Sequence, residues 1–226
     1  MGCGVGSWLK AWQDSKPDLK IFGIDGNGVS EELFFIPKSY YKQVDLRKDS
    51  KETFDEVCNA LNLQNTLQNY AKPFDLVESL EVAEHLEAQY AKNFIALLTR
   101  FADVVLFSAA VPYQGGTKHY NERPPKYWAD LFAKHDFVCF DILRHRIWNN
   151  EKIAYWYRQN LLIYAHKSKI GSFEKMGFSP QEPLHLITPK MLENKHRENP
   201  IRVYWRHPAK FFRHLGAFLS GKRYLW

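Results

Sequence analysis

The chain has 226 residues, of which 45% are hydrophobic and 25% charged; this is ordinary globular usage and excludes wholesale disorder, collagen-like repeats and fibrous architecture. Its length allows one full domain with an appendage, or two small domains, and excludes two large ones. The net charge of +6 is uneven: residues 167–226 hold 12 Lys/Arg against 4 Asp/Glu, while residues 1–166 hold 19 against 21, so the body is not a uniformly basic nucleic-acid-binding surface.

In chain order, the first feature is Gly2-Cys3-Gly4-Val5-Gly6, followed by an apolar-patterned helix over residues 7–13. Glycines at alternate positions let the backbone turn tightly and come close to a ligand, and the helix behind them presents unpaired amides, so this is a nucleotide-binding turn. Its spacing is Gly-x-Gly-x-Gly, not the Gly-x-Gly-x-x-Gly of nicotinamide and flavin folds. Strand-like runs follow at residues 20–24, ending at Asp25, and at residues 40–44, ending at Asp45. A carboxylate at Asp25, one strand after the turn, is placed to accept both hydroxyls of a ribose. Further strands are predicted at 74–80 and 103–108, each preceded by a helical stretch, giving a βαβα pattern and a mostly parallel sheet covered on both faces. The most apolar stretch, residues 94–111, is broken by Thr99, Arg100 and Asp103, so it reads as a helix and a strand and not as a membrane span. A helix at 126–134 then precedes two strand-like runs, 137–143 and 160–166, with no helix expected between them and antiparallel pairing allowed. The charge shift and the Lys-Ser-Lys-Ile-Gly-Ser composition set a boundary near residue 166. Three scattered cysteines, Cys3, Cys58 and Cys139, make neither a disulfide framework nor a zinc knuckle. With no secretory leader evident, a cytoplasmic location is expected.

These motifs, in this order, resemble the class I S-adenosylmethionine-dependent methyltransferases over residues 1–166. The glycine turn is similar to the family's first motif, Gly23-Ile24-Asp25 to its acidic ribose position, and Val44-Asp45-Leu46 to the loop that meets the adenine. Residues 74–86, with the ending Glu81-Val82-Ala83-Glu84-His85-Leu86, are similar to the fourth strand and its loop. The resemblance implies a three-layer Rossmann-like α/β fold, mostly parallel, with a terminal antiparallel hairpin at 137–166. It implies S-adenosylmethionine as cofactor, held by Gly2, Cys3, Gly4 and Gly6, by Asp25 and Gly26, by Asp45 and Leu46, and by Glu81. One departure stands out: in the family a central strand precedes the glycine turn, and here only Met1 does. The first strand is therefore expected to be truncated, its place between the strand ending at Asp25 and the strand at 74–80 left open, and the true start is expected upstream of Met1.

The sulfonium of such a donor carries its own charge, so the protein needs to hold donor and acceptor together and, for an oxygen acceptor, to manage one proton. Acid/base candidates beyond the fourth and fifth strands are His85, Tyr113, His119, Tyr120, Asn121 and Glu122, with Gly115-Gly116 forming a turned loop; His119 is the expected base. Glu81, Glu84 and His85 also form Glu-x-x-Glu-His, which on a helical turn sets them at i, i+3 and i+4. With His119 they offer two carboxylates and two imidazoles for Mg²⁺, Mn²⁺ or Zn²⁺, an arrangement that the small-RNA 2′-O-methyltransferases and ubiquinone-pathway O-methyltransferases resemble. The plainer expectation is that no metal is bound, with Glu81 on the cofactor and His85 capping a helix.

The cluster Trp148, Tyr155, Trp156 and Tyr157 reads as core or contact surface, or as a stacking face for a flat acceptor. Residues 167–226 form a basic, aromatic extension in which Phe211, Phe212, Leu215, Phe218 and Leu219 share one helical face. Residues 209–226 are expected to meet a subunit or a membrane surface. The function expected is methyl transfer from S-adenosylmethionine to a small-molecule or glycan-type acceptor, by O-methylation, with nucleic acid not expected as a partner. The alternatives are a metal-dependent RNA ribose 2′-O-methyltransferase and a non-catalytic cofactor-binding or scaffold protein.

Overall fold

A computed structural model describes residues 1–63 and 72–197. The chain separates into one compact unit, Met1–Leu186, and a second, Ile187–Trp226, whose described part includes an α-helix at Pro189–Arg197. The first unit therefore runs past the expected boundary at residue 166. The extension's aromatic face at residues 209–226 lies outside the described residues. Among the described residues no helix is long and apolar enough to cross a membrane.

Within the first unit, α1 (Ser7–Ser15) follows the glycine turn and leads to β1 (Gly23–Asp25), which pairs in parallel with β2 (Tyr41–Gln43). Then come α2 (Ser50–Ala60), β3 (Val77–Leu80), α3 (Ala91–Phe101), β4 (Val104–Ser108), α4 (Pro125–Ala133) and β5 (Phe137–Phe140). Two short helices, α5 (Arg144–Ile147) and α6 (Tyr155–Asn160), precede β6 (Leu162–His166) and α7 (Ile170–Lys175). The expected strands are all present and shorter than expected, β5 at its carboxyl end, β2 at both ends and the others at their amino ends.

The second sheet has the order β3-β4-β6-β5, with β3 and β4 parallel, and β6 antiparallel to both β4 and β5. The terminal antiparallel pair thus forms as expected, but the connection is not helix-free. Its helices are fixed from inside: Arg144 is fully buried, its Nε and one terminal nitrogen donating to the two carboxylate oxygens of Asp141 at 2.9 and 2.6 Å. Its other terminal nitrogen donates to the carbonyls of Gln159 and Leu184. A charge cannot stay buried without such partners, so Arg144 ties the connection to the start of β6.

The core lies on both sides of the second sheet. Helix α3 buries Phe94, Ile95, Leu97, Leu98 and Phe101, an i, i+3, i+4, i+7 stripe that turns one face inward. On β4, Phe107 meets Trp128 and Phe132 of α4, and Phe132 stacks on Tyr164 of β6 with centroids 4.0 Å apart. Helix α7 packs on the opposite face, Phe173 stacking on Phe140. Leu46, expected at the adenine, is buried in the main core.

The two sheets are not joined by strand pairing. What spans the gap is residues 1–3: the Met1 amino group donates to the Glu78 carbonyl at 2.7 Å, and the Gly2 and Cys3 amides donate to the Ile24 carbonyl at 2.8 and 3.1 Å. The break falls between β1 and β3, where a truncated first strand was expected.

Candidate functional site

Two groups of residues gather at the carboxyl ends of the parallel strands, the usual ligand edge of an open α/β sheet. The first is the glycine turn with β1. Gly2, Gly4 and Gly6 all have positive φ, at 66°, 51° and 81°, so the turn is a run of left-handed residues that L side chains disfavour. At Gly2 the constraint is doubled, because a Cβ would collide with the Val82 side chain. At Gly4 nothing lies within 4 Å of that Cβ position, so conformation alone selects glycine.

The Gly4 amide donates to Asp25 Oδ2 at 2.8 Å, and the Asn27 amide donates to Oδ1 at 2.8 Å. The two sequence signals are thus brought together, and the buried Asp25 carboxylate organises the turn from below. Gly26 stands exposed beside it, clear of side chains. Cys3 is half-buried and burial pushes its thiol up to about 11, so it is no nucleophile at neutral pH. Asp45 lies at the end of the next strand, where its carboxylate takes two hydrogen bonds from Arg47 Nε and a terminal nitrogen at 2.9 and 2.8 Å. Those bonds hold its acidity at about 2.

The second group is built where β3 and β4 end. Glu81, with φ at 54°, follows β3, and its amide donates to the carbonyl and hydroxyl oxygens of Ser108 at 3.0 and 3.1 Å. This strained backbone turns its carboxylate toward Gln114 and Asn160. Gln114 Nε2 donates to one oxygen at 2.8 Å, and Asn160 Nδ2 donates to the other at 3.1 Å and also to Gln114 Oε1 at 2.8 Å. A short 3₁₀ turn, Ala83–His85, carries Glu84 and His85. Its position is fixed by the loop after β4, whose Tyr120 and Asn121 amides both donate to the Glu84 carbonyl at 2.8 and 3.0 Å.

The outcome is a three-donor cluster. Ligand atoms of Glu84, His85 and His119 all lie within 4.8 Å of one another. The two imidazoles meet edge to face with centroids 4.8 Å apart. His119 Nδ1 is paired with Glu122 Oε1 at 2.9 Å, which leaves Nε2 as the ring's available nitrogen, and Gly116 makes room for it, since a Cβ there would strike the ring. His85 Nδ1 sits 3.2 Å from the Lys118 carbonyl.

The Glu84 carboxyl is fully buried, and among the described residues neither of its oxygens has a hydrogen-bond partner. Burial first, and then the charge of Glu81, push it up to about 9. A buried polar group without a partner is costly. Together with two imidazoles, this carboxyl has the chemistry of a divalent-cation site. The donor set fits a cation.

Tyr113 and Tyr120 stand exposed on the loop, whereas Asn121 is buried. Of the cluster Trp148, Tyr155, Trp156 and Tyr157, Tyr157 packs edge to face on Trp8 of α1 with centroids 5.4 Å apart. Gln114 and Asn160 were missed by sequence reasoning as site residues. No local pattern marks them, since they come from a loop and a helix end that only the sheet order brings to Glu81.

No family model matches the sequence, and no curated protein matches it. Among solved structures, the chain is similar to the methyltransferase domain of a bacterial Hen1, at 17% identity and a TM-score of 0.47, with 73% of this chain and 86% of that one covered. A second structure of that bacterial domain matches at 16% identity and a TM-score of 0.46. A third match, at 18% identity and a TM-score of 0.45, is described as the small RNA methyltransferase HEN1; 74% of this chain covers 23% of that one. Its presence corrects the expectation that nucleic acid is not a partner. In strand order and in the placement of the glycine turn, Asp25 and the residues after β3, the chain has a Rossmann-like fold of the class I methyltransferase type.

Proposed function

We propose that the protein is an S-adenosylmethionine-dependent methyltransferase acting on a ribose 2′-hydroxyl of RNA with a divalent cation at Glu84, His85 and His119. The observation that carries this reading is the buried, unpartnered Glu84 carboxyl beside two imidazoles. The Glu81-x-x-Glu84-His85 spacing with a later His119 is the pattern that resembles the small-RNA 2′-O-methyltransferases, and the fold gathers three of those four side chains into one ligand set.

In this reading the glycine turn, whose Gly2, Cys3, Gly4 and Gly6 amides are bonded within the chain, offers the donor's adenosyl part a close approach to its backbone, beside the Asp25 carboxylate, at the edge where the first turn meets β1. When bound, the cation supplies a Lewis acid that acidifies a coordinated hydroxyl. Glu84, His85 and His119 hold that cation, and Glu122 fixes the ring orientation of His119. Gln114 and Asn160 occupy both oxygens of Glu81, which keeps that carboxylate turned beside Glu84. His119 serves here as a ligand, not as the general base first expected of it.

The test is titration calorimetry with Mn²⁺, together with methyl transfer to a short RNA and to the same RNA with a 3′-terminal 2′-deoxyribose. Binding that Glu84→Gln weakens by ten-fold or more, with transfer lost on the deoxy substrate, is expected. Transfer to RNA undiminished by exhaustive chelation, or transfer only to small hydroxylated molecules, would refute it.

A further inference from the structure

The loop that supplies His119 to the donor cluster is braced from within. The Gly115 amide donates to Glu122 Oε1 at 2.6 Å, the same oxygen that pairs with His119 Nδ1, and Val111, Gln114 and Asn121 are buried. Two tyrosines of this loop nevertheless stand in solvent, Tyr113 80% and Tyr120 61% exposed. Among the described residues neither ring meets another ring or a cation, and neither hydroxyl has a hydrogen-bond partner.

Tyr113 is costly where it stands. In Val111-Pro112-Tyr113-Gln114 the Gln114 amide donates to the Val111 carbonyl at 3.0 Å, and Tyr113 has φ at 69°. Proline second and a left-handed residue third is the type II turn, whose third position favours glycine or asparagine, and a bulky side chain there is an outlier. A ring that strains its own backbone and packs on no described residue points to something it meets from outside the chain. Lys118 repeats the arrangement: its φ is 57°, its side chain is exposed, and no carboxylate among the described residues pairs with it. All three residues are tied to the site through the main chain. Tyr113 precedes Gln114, which holds Glu81; Lys118 and Tyr120 flank His119, with the Lys118 carbonyl 3.2 Å from His85 Nδ1 and the Tyr120 amide bonded to the Glu84 carbonyl.

We propose that Tyr113 and Tyr120 are a stacking platform for the unpaired bases next to the reacting ribose, and that Lys118 meets a phosphate of the same strand end. This rests on the reading of the donor cluster as the place where an RNA ribose hydroxyl is methylated. Stacking on a tyrosine uses the face of a base and not its hydrogen-bonding edge, so the platform takes a strand end of any sequence. The bases it takes are unpaired, because a base inside a duplex keeps its faces on its neighbours. Rings carried on a braced loop lose little freedom when a strand settles on them. Lys118 supplies the positive charge that the carboxylates Glu81, Glu84 and Glu122 cannot offer a phosphate.

The experiment measures binding of the full chain to a short single-stranded RNA labelled at its 5′ end, by fluorescence anisotropy, with Mn²⁺ present and no methyl donor. Tyr113→Ala and Tyr120→Ala are each expected to weaken binding about ten-fold, and the phenylalanine variants by no more than about two-fold, since the ring and not the hydroxyl does the stacking. Lys118→Ala should lower the slope of log affinity against log salt by about 0.7. An RNA without bases at its last two positions should bind the wild type and both alanine variants alike, and a blunt duplex should bind more weakly than the single strand. Tyr113→Gly should weaken binding as alanine does while leaving the melting temperature unchanged or higher, because glycine relieves the turn; a ring needed only for the fold would show the opposite. Undiminished RNA binding by both alanine variants, or the same ten-fold losses on the RNA without its last bases, would overturn the proposal and leave the methyl-transfer reading standing. These losses in a protein that transfers no methyl group to RNA would uphold the platform and refute that reading, and no binding of RNA by the wild type would overturn both.

Discussion

Replacing Arg144 by methionine tests the claim that the connection between β5 and β6 is held by its one buried cation. The guanidinium is fully buried and makes four hydrogen bonds, two to the Asp141 carboxylate and one each to the carbonyls of Gln159 and Leu184. Methionine fills much of the space but leaves Asp141, whose side chain is 2% exposed, as an unpaired buried anion. Removing one partner of such a pair costs about 3–5 kcal/mol. For a domain of this size that lowers the melting temperature by roughly 6–20 °C. Pairing Arg144→Met with Asp141→Leu removes the stranded charge and should recover most of the loss, because an apolar pair of similar volume often matches a buried ion pair. Urea unfolding followed by tryptophan emission measures all three variants and the cycle between them. A loss below about 1 kcal/mol for the single variant, or a double variant whose loss equals the sum of the singles, would show that the pair is not what anchors the connection.

Three other outcomes follow from the same geometry. Asn160→Ala strips one donor from Glu81 and one from Gln114 and should cost about 1.5–3 kcal/mol, read by urea unfolding, with a fall in Mn²⁺ affinity read by calorimetry. Gly4→Ala, where only φ is strained, should cost about 1–2 kcal/mol, and Gly2→Ala distinctly more because Val82 must also move; equal losses in melting temperature would contradict the packing at Val82. Arg47 holds Asp45 at about 2, so the folded-state acidity lies below the unfolded one. The associated stability is present above the ordinary carboxylate range and is lost as pH falls toward 2; Arg47→Ala should bring the Asp45 titration, followed by NMR, back toward its usual value, with a change in stability small because the pair is exposed.

Much of this protein is local. Alternating glycines allow positive φ where a tight turn is needed, short β-branched and aromatic runs bounded by Asp read as strands, and the apolar spacing of residues 91–101 declares a buried helix face. These features put the α/β fold, the glycine turn, its tie to Asp25 and the candidate donors Glu84, His85 and His119 within reach of the sequence.

The rest depends on contacts between residues far apart in the chain. The helices α5 and α6 wound around a buried guanidinium, and the meeting of Gln114 and Asn160 on Glu81, have no periodicity to announce them. Their cause is the order β3-β4-β6-β5, which sets the end of α6 beside the ends of β3 and β4. The burial that isolates the Glu84 carboxyl comes from the same assembly. Side-chain chemistry decides which groups can ligate; only packing decides which of them is buried without a hydrogen-bond partner among the described residues.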